Sequence, residues 1–390
     1  MVIQQLKFLI LLKMKTKLIS IIFLIKYSTD LFIKLFNKKN IFIFPFFHTG
    51  GAEKVHLDIV KSFPKKDNLV IFTNKSYNMH FLEEFEKHAK VFHYHNYKHS
   101  YYYRIIILKI LSNIKNTSKI TIFGCNNTYF YDILDHLPLK VKKIDLLHAF
   151  SLPDPGGAEV YSLKKIPFLD KRIVINQKTK NDFINLYKEK GISDEYLERI
   201  KIINIAVDTP EAKPIKNFNK EKLEIIFCGR IAKEKRVHLV VEIAKKVSEI
   251  ANVKIYGHKE MNIEGIDEFY QKNIINPNEL KQIYEISDVL LITSYREGFP
   301  VVIKEAMANG VVCISTDVGS ISEHVLNNKT GFIVENDSEE EIVNKFVKLI
   351  TQLFSDKALL KQLSDNAYHH AIENYNMNKF QQEIRRFIHN

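Results

Sequence analysis

The sequence predicts an α/β protein with two doubly wound, Rossmann-like parallel-sheet domains that face a central cleft. Three observations support this fold class. The chain has 390 residues, more than the roughly 250 to 300 residues over which one hydrophobic core grows. Short runs of β-branched and aromatic residues alternate with helical stretches, as in parallel sheets with helical crossovers. One polar stretch, residues 209–222, interrupts this alternation and divides the chain in two.

The composition indicates a folded globular protein that favours anionic partners. Hydrophobic residues make up 46% of the chain and charged residues 26%, with 13 Gly and 10 Pro, which argues against the disordered and fibrous classes. The formal net charge of +12 attracts phosphate groups, nucleic acid or an acidic membrane face, and does not choose among them. Because no nucleic-acid recognition module is recognisable, we expect no nucleic-acid partner.

The cysteines indicate a reducing compartment. Cys125, Cys228 and Cys313 lie far apart in apolar runs typical of strands. Their odd number and the lack of CxxC spacing argue against a disulfide framework and against a zinc site. We therefore expect a cytoplasmic location and no structural metal.

Residues 1–39 form a basic extension with eight lysines and one acidic residue, Asp30. No uncharged run reaches the roughly 18 residues of a membrane-spanning helix, and no small-residue cleavage site indicates a secretory signal. From Lys26 to Lys38 a polar residue recurs at every fourth position, which predicts a basic amphipathic helix. The apolar side chains largely off this polar stripe are Leu31, Ile33, Leu35 and Phe36.

Three interpretations of this extension stay open. The helix can lie on an anionic membrane surface, where each lysine contributes about 1 kcal/mol. It can instead pack on the body of the protein. A third possibility is that part of the extension is an overlong start and that the chain begins at Met14.

Residues 40–208 carry the first alternation of strands and helices and are predicted to form an N-terminal Rossmann-like domain. The strand candidates are IFIFPF, NLVIFTN, KVFHYH, KITIFGC, KIDLLHAF, RIVINQ and KIINIAV. Residues 209–222 are polar, contain Pro and several Lys, and have no apolar period. This composition indicates an interdomain linker.

The alternation restarts in residues 223–372, which are predicted to form a second domain of the same kind. Its strand candidates are LEIIFCGR, NVKIYG, SDVLLITS, VVCIST and GFIVE, with helices in EKRVHLVVEIAKKVSEI and VVIKEAMANG. Residues 373–390 are predicted to form a closing C-terminal helix.

A pair of glycines follows the first strand of the N-terminal domain. In parallel sheets, ligands bind where strand carboxyl ends lead into helix N-termini, and these termini attract phosphate. Gly50 and Gly51 stand at such a position, and glycine lets the backbone approach a ligand closely. The pair alone is a weak signal, because Gly-Gly before a helix is ordinary loop chemistry.

Two cations follow the first strand of the C-terminal domain. Arg230 and Lys235 lie five positions apart, across a strand end and a helix start. This spacing suits the two sides of one diphosphate, with the guanidinium bidentate and the ammonium acting as a point charge. Taken alone, the stretch is as compatible with a solvated basic turn.

Two glutamates occupy the segment REGFPVVIKEAMANG. Glu297 lies in the loop at the carboxyl end of a strand, and Glu305 lies inside the following helix. A helical interval separates them by about 12 Å, beyond the roughly 5 to 9.5 Å of glycosidase carboxylate pairs. The pair therefore suits the two ends of an elongated, hydroxyl-rich ligand. With cations for a diphosphate in the same domain, the sequence predicts a nucleotide-sugar site.

These motifs together resemble the retaining GT-B glycosyltransferases of family 4. The resemblance rests on GRIAKEK, SDVLLITSYREGFPVVIKEAMANG, STDVGSISEHV and GFIV, with GGAE before them and ENYNMNKF after them. It covers about residue 40 to residue 375, and the E-x7-E spacing together with the Arg/Lys pair is specific. It implies that residues 40–208 bind the acceptor and residues 223–372 the nucleotide sugar.

The resemblance also implies a role for each site residue. Glu305 would bind the ribose hydroxyls and Glu297 the donor sugar. Arg230 and Lys235 would hold the diphosphate and stabilise the leaving nucleotide, while His148 would line the sugar pocket near the reacting centre. The catalytic set is then His148, Glu297, Arg230 and Lys235. The further donor-binding residues are Gly50, Gly51, Gly229, Gly298, Phe299, Pro300 and Glu305.

Members of this family retain the anomeric configuration and need no metal or other cofactor. Consistent with this, the sequence contains no Asp-x-Asp, so Arg230, Lys235 and helix N-termini must meet the phosphate charge. The implied mechanism is a front-face transfer in which the leaving diphosphate helps to deprotonate the acceptor hydroxyl. The chain departs from the family pattern at Gly319-Ser320, at Val311 and at Ile205-Ala206, positions that bear on loop shape and donor preference.

The resulting prediction is a hexosyl-type transferase that moves a sugar to a hydroxyl of a growing cell-surface glycan or glycolipid, as in polysaccharide and lipopolysaccharide biosynthesis. It would act in the cytoplasm, with the basic extension offering attachment to the inner face of the membrane. The alternatives are a GT-B nucleotide-sugar epimerase or glycan phosphorylase, and a noncatalytic GT-B binding subunit.

The stretch HYHNYKHSYYYR, residues 93–104, gathers histidines and tyrosines. Its HxH pattern has no carboxylate or cysteine at a useful spacing, which argues against a metal site. Stacking of these aromatic rings on an acceptor sugar is the favoured interpretation.

Overall fold

The computed structural model describes residues 25–48, 50–96, 101–148, 150, 157–274, 276–297 and 300–389. The described chain forms two parallel sheets with helices on their faces. In doubly wound folds, ligands bind in a crevice at the carboxyl ends of the strands, where the strand order reverses. Each of the two sheets has such a reversal, and candidate site residues lie at that edge.

Seven strands of the described chain form the N-terminal sheet. They are β1 (Asn40–Phe44), β2 (Asn68–Phe72), β3 (Lys90–His93), β4 (Thr121–Cys125), β5 (Lys142–Leu147), β6 (Lys171–Val174) and β7 (Ile200–Ile202). Their order is β3-β2-β1-β4-β5-β6-β7, with parallel neighbours throughout. The order reverses between β1 and β4, which opens the ligand-binding crevice of this domain.

Helices connect the successive strands of this half. They are α1 (Gly51–Lys61), α2 (Leu82–His88), α3 (Tyr101–Ser112), α4 (Thr128–Ile133), α5 (Ala158–Tyr161) and α6 (Gln177–Glu189). Asn127 and Asn176 cap α4 and α6, because each side chain accepts a hydrogen bond from the backbone three residues later.

Six strands of the described chain form the C-terminal sheet. They are β8 (Leu223–Cys228), β9 (Ala251–Tyr256), β10 (Tyr270–Lys272), β11 (Val289–Ile292), β12 (Val312–Thr316) and β13 (Gly331–Val334). Their order is β10-β9-β8-β11-β12-β13, again with parallel neighbours. The reversal lies between β8 and β11, the two strands that precede Arg230 and Glu297.

Helices α7 (Val237–Lys246), α8 (Pro277–Ile286), α9 (Val301–Ala308), α10 (Glu339–Ser355), α11 (Lys357–Asn374) and α12 (Met377–His389) complete the described chain. In α12 the buried residues Phe380, Ile384 and Ile388 recur at every fourth position and join the core of the N-terminal domain. The C-terminal helix therefore packs on the opposite domain from the strands that precede it.

The apolar strand runs follow from burial on both sheet faces. All five residues of β1 are buried. Phe42 and Phe44 pack in one hydrophobic cluster, whereas Ile41 and Ile43 pack in another on the other face, because successive strand side chains point to opposite sides. Helices cover both faces, so the strand shows a continuous apolar run instead of an alternation.

Direct contacts join the two domains beside the crevice. The Asn176 amide donates to the Ser320 hydroxyl at 3.0 Å. The Glu323 carboxylate accepts from the backbone N–H groups of Gln177 and Lys178 at 2.8 and 2.7 Å. A carboxylate is stabilised at a helix N-terminus by the helix dipole. Ser320, one of the departures from the family pattern, thus takes part in an interdomain hydrogen bond.

Residues 25–35 are helical, but the orientation of this helix differs from the one its polar stripe predicts. Leu31 is buried in the core, and Lys38, at the end of the polar stripe, is buried with its ammonium donating to a backbone oxygen. Ile33 and Phe36 are exposed by 62% and 69%. Tertiary packing of Leu31 sets the orientation, so several apolar side chains face outward.

Residues 1–24 of the predicted extension lie outside the described residues. Among the described helices, none combines the length and apolarity that crossing a bilayer requires.

Candidate functional site

A cavity of about 720 Å³ opens at the carboxyl ends of β8 and β9, at the strand-order reversal of the C-terminal sheet. The N-terminal domain contributes Gly50, Gly51 and Tyr77 to its wall, and the C-terminal domain contributes Gly229, Arg230 and Gly257 among others. Its size falls in the range of small-molecule sites. The structure therefore brings four of the predicted site residues to one cavity between the domains.

The wall of this cavity needs glycine at residue 257. Gly257 has a φ of 149°, and a Cβ added to it would lie 1.6 Å from the Gly229 carbonyl oxygen. Only glycine combines this conformation with such a close approach. Sequence reasoning missed Gly257 and the adjacent His258, although the rule that ligands bind at strand carboxyl ends points to the end of β9 as it does to that of β8.

Two helices of opposite domains begin at the same place. Gly50 precedes the first turn of α1, and a Cβ on Gly51 would lie 3.5 Å from a methyl carbon of Val301 in the first turn of α9. Pro300 is buried at the start of α9. The two helix N-termini therefore converge, and helix N-termini favour anions. The Glu53 carboxylate already lies against Gly50 at the start of α1.

Arg230 lies at the cavity but is held by carboxylates. Its guanidinium donates to both oxygens of Glu260 at 2.9 and 2.8 Å and to Glu234 at 2.6 Å. The hydrogen bond with Glu260 is the main cause that raises the pKa of Arg230 above its ordinary value. Because the Arg230 side chain is 55% exposed, these ion pairs are weak, and a phosphate can compete for the guanidinium.

Lys235 and Glu297, predicted separately, form a close ion pair. The Lys235 ammonium donates to the two Glu297 oxygens at 2.6 and 2.7 Å, and the Ser294 hydroxyl donates to one of them at 2.6 Å. The Glu297 side chain is only 7% exposed. Since a carboxylate oxygen accepts more than one hydrogen bond, Glu297 is fixed in position and still able to accept from a ligand hydroxyl.

Arg236 organises this part of the site, and sequence reasoning missed it. It has a left-handed backbone with a φ of 46°, and its buried guanidinium donates to the carbonyl oxygens of Thr293 and Ser294 and to Asn336. These bonds fix the carboxyl end of β11, from which Glu297 projects. In the sequence Arg236 is only the last cation of a basic turn, so no pattern distinguishes it from its neighbours.

Gly319 supports the Glu297 loop from the other side. It has a φ of 65°, and a Cβ there would lie 2.1 Å from the Glu297 carbonyl oxygen. Gly298 and Phe299, which the family resemblance assigns to donor binding, lie outside the described residues.

Glu305 lies on α9 and accepts from the Tyr284 hydroxyl at 3.2 Å. Burial raises the pKa of Glu305, and the Lys54 ammonium of the N-terminal domain is among the groups that oppose this rise. Lys54 itself pairs with Asp58 at 2.7 Å and with Asp208 at 3.6 Å. Glu305 therefore lies close enough to the opposite domain for the charged groups there to shift its pKa.

His148 follows β5 and faces a second histidine. Its Nε2 lies 3.5 Å from Nε2 of His56, whose ring stacks on Phe44 with centroids 4.3 Å apart. Burial lowers the pKa of His148 to about 4 and lowers that of His56 well below its ordinary value. Both imidazoles are therefore neutral near pH 7. Sequence reasoning missed His56, because a single histidine in an apolar helical run carries no distinguishing signal.

Two of the tyrosines in residues 93–104 are not available for stacking on a sugar. Tyr94 and Tyr103 are buried in the core, and Tyr94 stacks on Tyr129 with centroids 4.4 Å apart. They serve packing and not sugar stacking. Tyr101 and Tyr102 are exposed.

The sequence of this chain is similar to those of known proteins. The family model described as glycosyl transferases group 1 matches residues 208–370. N-acetyl-alpha-D-glucosaminyl L-malate synthase of Bacillus anthracis is 28% identical over 249 residues, which cover 60% of this chain and 54% of that protein. The capsular polysaccharide biosynthesis glycosyltransferase CapM of Staphylococcus aureus is 34% identical over 151 residues, 36% of this chain and 39% of CapM. The chain thus spans about half the length of the first of these relatives.

The structure of Anabaena HepE in complex with UDP is similar over nearly the whole chain. The TM-score is 0.68 at 16% identity, and the superposition covers 89% of this chain and 98% of HepE. The fold, with its two parallel-sheet domains, is GT-B. Within this fold, residues 208–370 match the group 1 glycosyltransferase family.

Proposed function

We propose that this chain is a retaining, metal-independent glycosyltransferase that moves a sugar from a nucleotide-sugar donor to a hydroxyl of a cell-surface glycan or glycolipid. The observation that carries the proposal is the Lys235–Glu297 ion pair, at 2.6 Å, in the C-terminal domain that also contributes Arg230 to the cavity between the domains. This domain presents cations for a diphosphate and a fixed carboxylate for sugar hydroxyls.

The diphosphate of the donor would bind between Arg230 and Lys235. Phosphate oxygens accept two parallel hydrogen bonds from a guanidinium, and an ammonium interacts with them as a point charge. The converging N-termini of α1 and α9 also favour an anion, and a phosphate would compete there with the Glu53 carboxylate that lies against Gly50. This arrangement meets the phosphate charge with protein groups alone, which supports a reaction that needs no metal.

The nucleoside would occupy the part of the cavity whose walls are formed by the carboxyl ends of β8 and β9. Glu305 would accept hydrogen bonds from the ribose hydroxyls, since its Oε2 accepts from the Tyr284 hydroxyl and retains further acceptor capacity. HepE has been solved with UDP, with UDP and glucose, and with UDP-glucose. These complexes support a nucleotide-sugar donor without naming the base or sugar for this chain.

In the transfer step, the acceptor oxygen would attack the anomeric carbon from the face that the diphosphate leaves. The carbon–oxygen bond to the diphosphate breaks with its electron pair on the leaving phosphate, and the acceptor proton passes to a phosphate oxygen. The new bond keeps the anomeric configuration, so no protein nucleophile is needed. Lys235 and Arg230 stabilise the negative charge as it develops, and Glu297 and neutral His148 orient the sugar.

The proposed class of acceptor is inferred from the names of two relatives. CapM is named for capsular polysaccharide biosynthesis, and a 26% identical relative of Salmonella typhimurium is named lipopolysaccharide 1,2-N-acetylglucosaminetransferase. Both names describe surface glycans, and we propose an acceptor of this class.

An exposed surface near the N-terminus supports attachment to the inner face of an anionic membrane. Phe32, Ile33 and Phe36 are all more than 60% exposed. A neighbouring apolar groove of about 780 Å³ lies between residues 32–41 and α3, and Lys39, Lys109, Lys115 and Lys119 line it. Apolar side chains beside lysines are the combination that binds the headgroup region of anionic bilayers.

The transfer proposal is tested by incubating the purified full chain with a panel of nucleotide sugars and glycan or glycolipid acceptors, with and without a chelator. We expect nucleotide release that requires acceptor, a product with the donor's anomeric configuration by NMR, and no effect of the chelator. Conversion of one nucleotide sugar into another would support the epimerase, and phosphate-dependent glycan cleavage the phosphorylase. Either outcome would overturn the transfer reaction.

Membrane attachment is tested by sedimentation with neutral phosphatidylcholine vesicles and with vesicles that also contain phosphatidylglycerol. We expect the wild type to bind only the anionic vesicles and to dissociate at high salt. The Phe32→Ser/Phe36→Ser variant should bind them less. Equal binding of both proteins to both vesicles would contradict this part of the proposal.

A further inference from the structure

Three side chains with metal-binding atoms meet in the N-terminal domain. His56 lies on α1, Cys125 ends β4, and His148 follows β5. Their ligand atoms all lie within 4.8 Å of one another. In the described part of the chain, this is the one such group of three histidine, cysteine or carboxylate side chains.

The spacing of these atoms suits a tetrahedral metal ion. Bonds of about 2.0 to 2.1 Å to nitrogen and about 2.3 Å to sulfur separate neighbouring ligand atoms by roughly 3.3 to 3.8 Å in a tetrahedral site. The two Nε2 atoms already lie 3.5 Å apart. The Cys125 sulfur lies within 4.8 Å of both histidines' ligand nitrogens, so it would approach by up to about 1 Å on binding a metal ion.

The donor atoms also fit a metal of this class, since imidazole nitrogen and thiolate sulfur are ligands that zinc prefers. The Cys125 thiol has to release its proton to become a ligand, so metal binding depends on pH.

His148 is the least buried of the three side chains. His56 and Cys125 are buried, whereas His148 is partly exposed. A metal ion can therefore enter past His148 and keep a fourth coordination position for water or another ligand, as three-ligand zinc sites do.

We propose that His56, Cys125 and His148 bind a divalent transition-metal ion of the zinc class, and that this binding inhibits sugar transfer by withdrawing His148 from the donor sugar. The inhibition rests on the proposed function, whereas metal binding does not. Binding joins the ion to two neutral imidazoles and one thiolate, and the thiol proton is released to solvent. Zn²⁺ and Co²⁺ should bind, and Mg²⁺ and Mn²⁺ should not, because thiolate and imidazole are poor ligands for the harder ions.

The test of binding is a Co²⁺ titration of the purified, chelator-treated full chain, followed by absorption spectroscopy. We expect one equivalent to produce a thiolate-to-cobalt charge-transfer band and the visible bands of tetrahedral cobalt, and Zn²⁺ to abolish both. Cys125→Ser should lose the charge-transfer band. The control Cys313→Ser, which changes a buried thiol of the other domain, should keep it. Absence of the band in wild type, or its persistence in Cys125→Ser, would overturn the site.

The test of inhibition is transfer measured with and without Zn²⁺. We expect wild type to lose activity in Zn²⁺ and to regain it with a chelator, and Cys125→Ser to keep its activity in both conditions. Equal inhibition of the two proteins would overturn the regulatory link. Cobalt bands in a wild type that transfers no sugar to any acceptor would support the metal site and count against the proposed function alone.

Discussion

The two halves of the cleft present different chemical groups to a ligand. The C-terminal half carries Arg230, Lys235 and Glu297 as ion pairs, with hydrogen bonds of 2.6 to 2.9 Å. The N-terminal half presents backbone at Gly50–Gly51 and the neutral imidazoles of His56 and His148. The C-terminal half therefore supplies charged groups for a ligand, and the N-terminal half supplies close backbone contact and neutral rings.

This difference separates binding from reaction. A diphosphate needs cations, and the carboxylates that hold them in the free protein also keep them from repelling one another. A sugar near its reacting centre is neutral, so an uncharged imidazole can lie beside it. The N-terminal half also carries charged side chains: the Glu53 carboxylate lies against Gly50, and Lys54 is held by Asp58 at 2.7 Å. We therefore expect substitutions in the C-terminal half to weaken donor binding and those around His148 to slow transfer.

The largest effect is expected for Lys235→Ala. It removes a diphosphate cation and leaves Glu297 without its ammonium partner. Loss of one charge-stabilising donor lowers the catalytic rate by about 100- to 1000-fold, and kcat for transfer measures it. The matched control is Lys246→Ala in the same domain, whose lysine pairs only with Glu242 at 3.3 Å. A loss below about tenfold in Lys235→Ala would mean that Lys235 does not serve the leaving group.

Glu305→Gln should have the next largest effect, on nucleotide affinity. A hydrogen bond to a charged group contributes about 1.5 to 3 kcal/mol, so the Kd for the nucleoside diphosphate should rise about 10- to 100-fold. Titration calorimetry measures the change. Glu264→Gln, at an exposed glutamate of the same domain, is the control. Unchanged affinity in Glu305→Gln would remove the ribose role of Glu305.

The neutral histidines should make the protein less stable in mild acid. The unfolded chain binds protons at these histidines as the pH falls through 6.5, whereas folded His148 binds one only near a pKa of about 4. The unfolded state therefore binds more protons between these values, and the free energy of unfolding falls as the pH is lowered from 7 towards 5. Urea titrations at several pH values measure it.

His56→Phe tests the source of this pH dependence, because phenylalanine can keep the stacking on Phe44. The variant should lose part of the decrease in stability, since His56 also has a strongly lowered pKa. His369→Phe, at a residue on α11, is the matched control and should keep the wild-type slope. An identical slope in His56→Phe and wild type would contradict the neutral buried state of His56.

The smallest effect is expected for Glu260→Gln, which removes a competitor for Arg230. An ion pair at this exposure contributes about 0 to 1 kcal/mol, so diphosphate affinity should rise by at most about fivefold. Glu268→Gln, away from Arg230, should leave affinity unchanged. Weaker binding in Glu260→Gln would indicate that Glu260 orients Arg230 instead of competing for it.

The fold and the place of the site could be predicted because they depend on local patterns. Apolar runs buried on both faces predict parallel strands, and strand carboxyl ends locate Gly50, Arg230 and Glu297 before any coordinates are known. The alternation of strands and helices also separates the two sheets. These signals need only neighbours in the sequence.

The remaining features depend on distant residues. The bond between Lys235 and Glu297 joins positions 62 residues apart, and Arg236 is distinguished from other cations only by its burial. His56, Cys125 and His148 come from separate elements, so no spacing connects them. The helix at residues 25–35 turns its apolar side chains outward because Leu31 packs in the core, and periodicity alone does not determine which face is buried.

The most direct test of this account compares nucleotide binding and transfer in two variants. Thermal unfolding is measured with UDP, GDP, ADP and CDP for wild type, Arg230→Ala/Lys235→Ala and His148→Ala, beside transfer activity. A ligand at 100 times its Kd stabilises a protein by about 2.7 kcal/mol, a clear shift. We predict that one nucleotide stabilises wild type and His148→Ala but not the double variant, and that both variants lose transfer. Equal stabilisation of all three proteins, or loss of nucleotide binding in His148→Ala alone, would contradict the division of the cleft into a charge-binding and a reacting half.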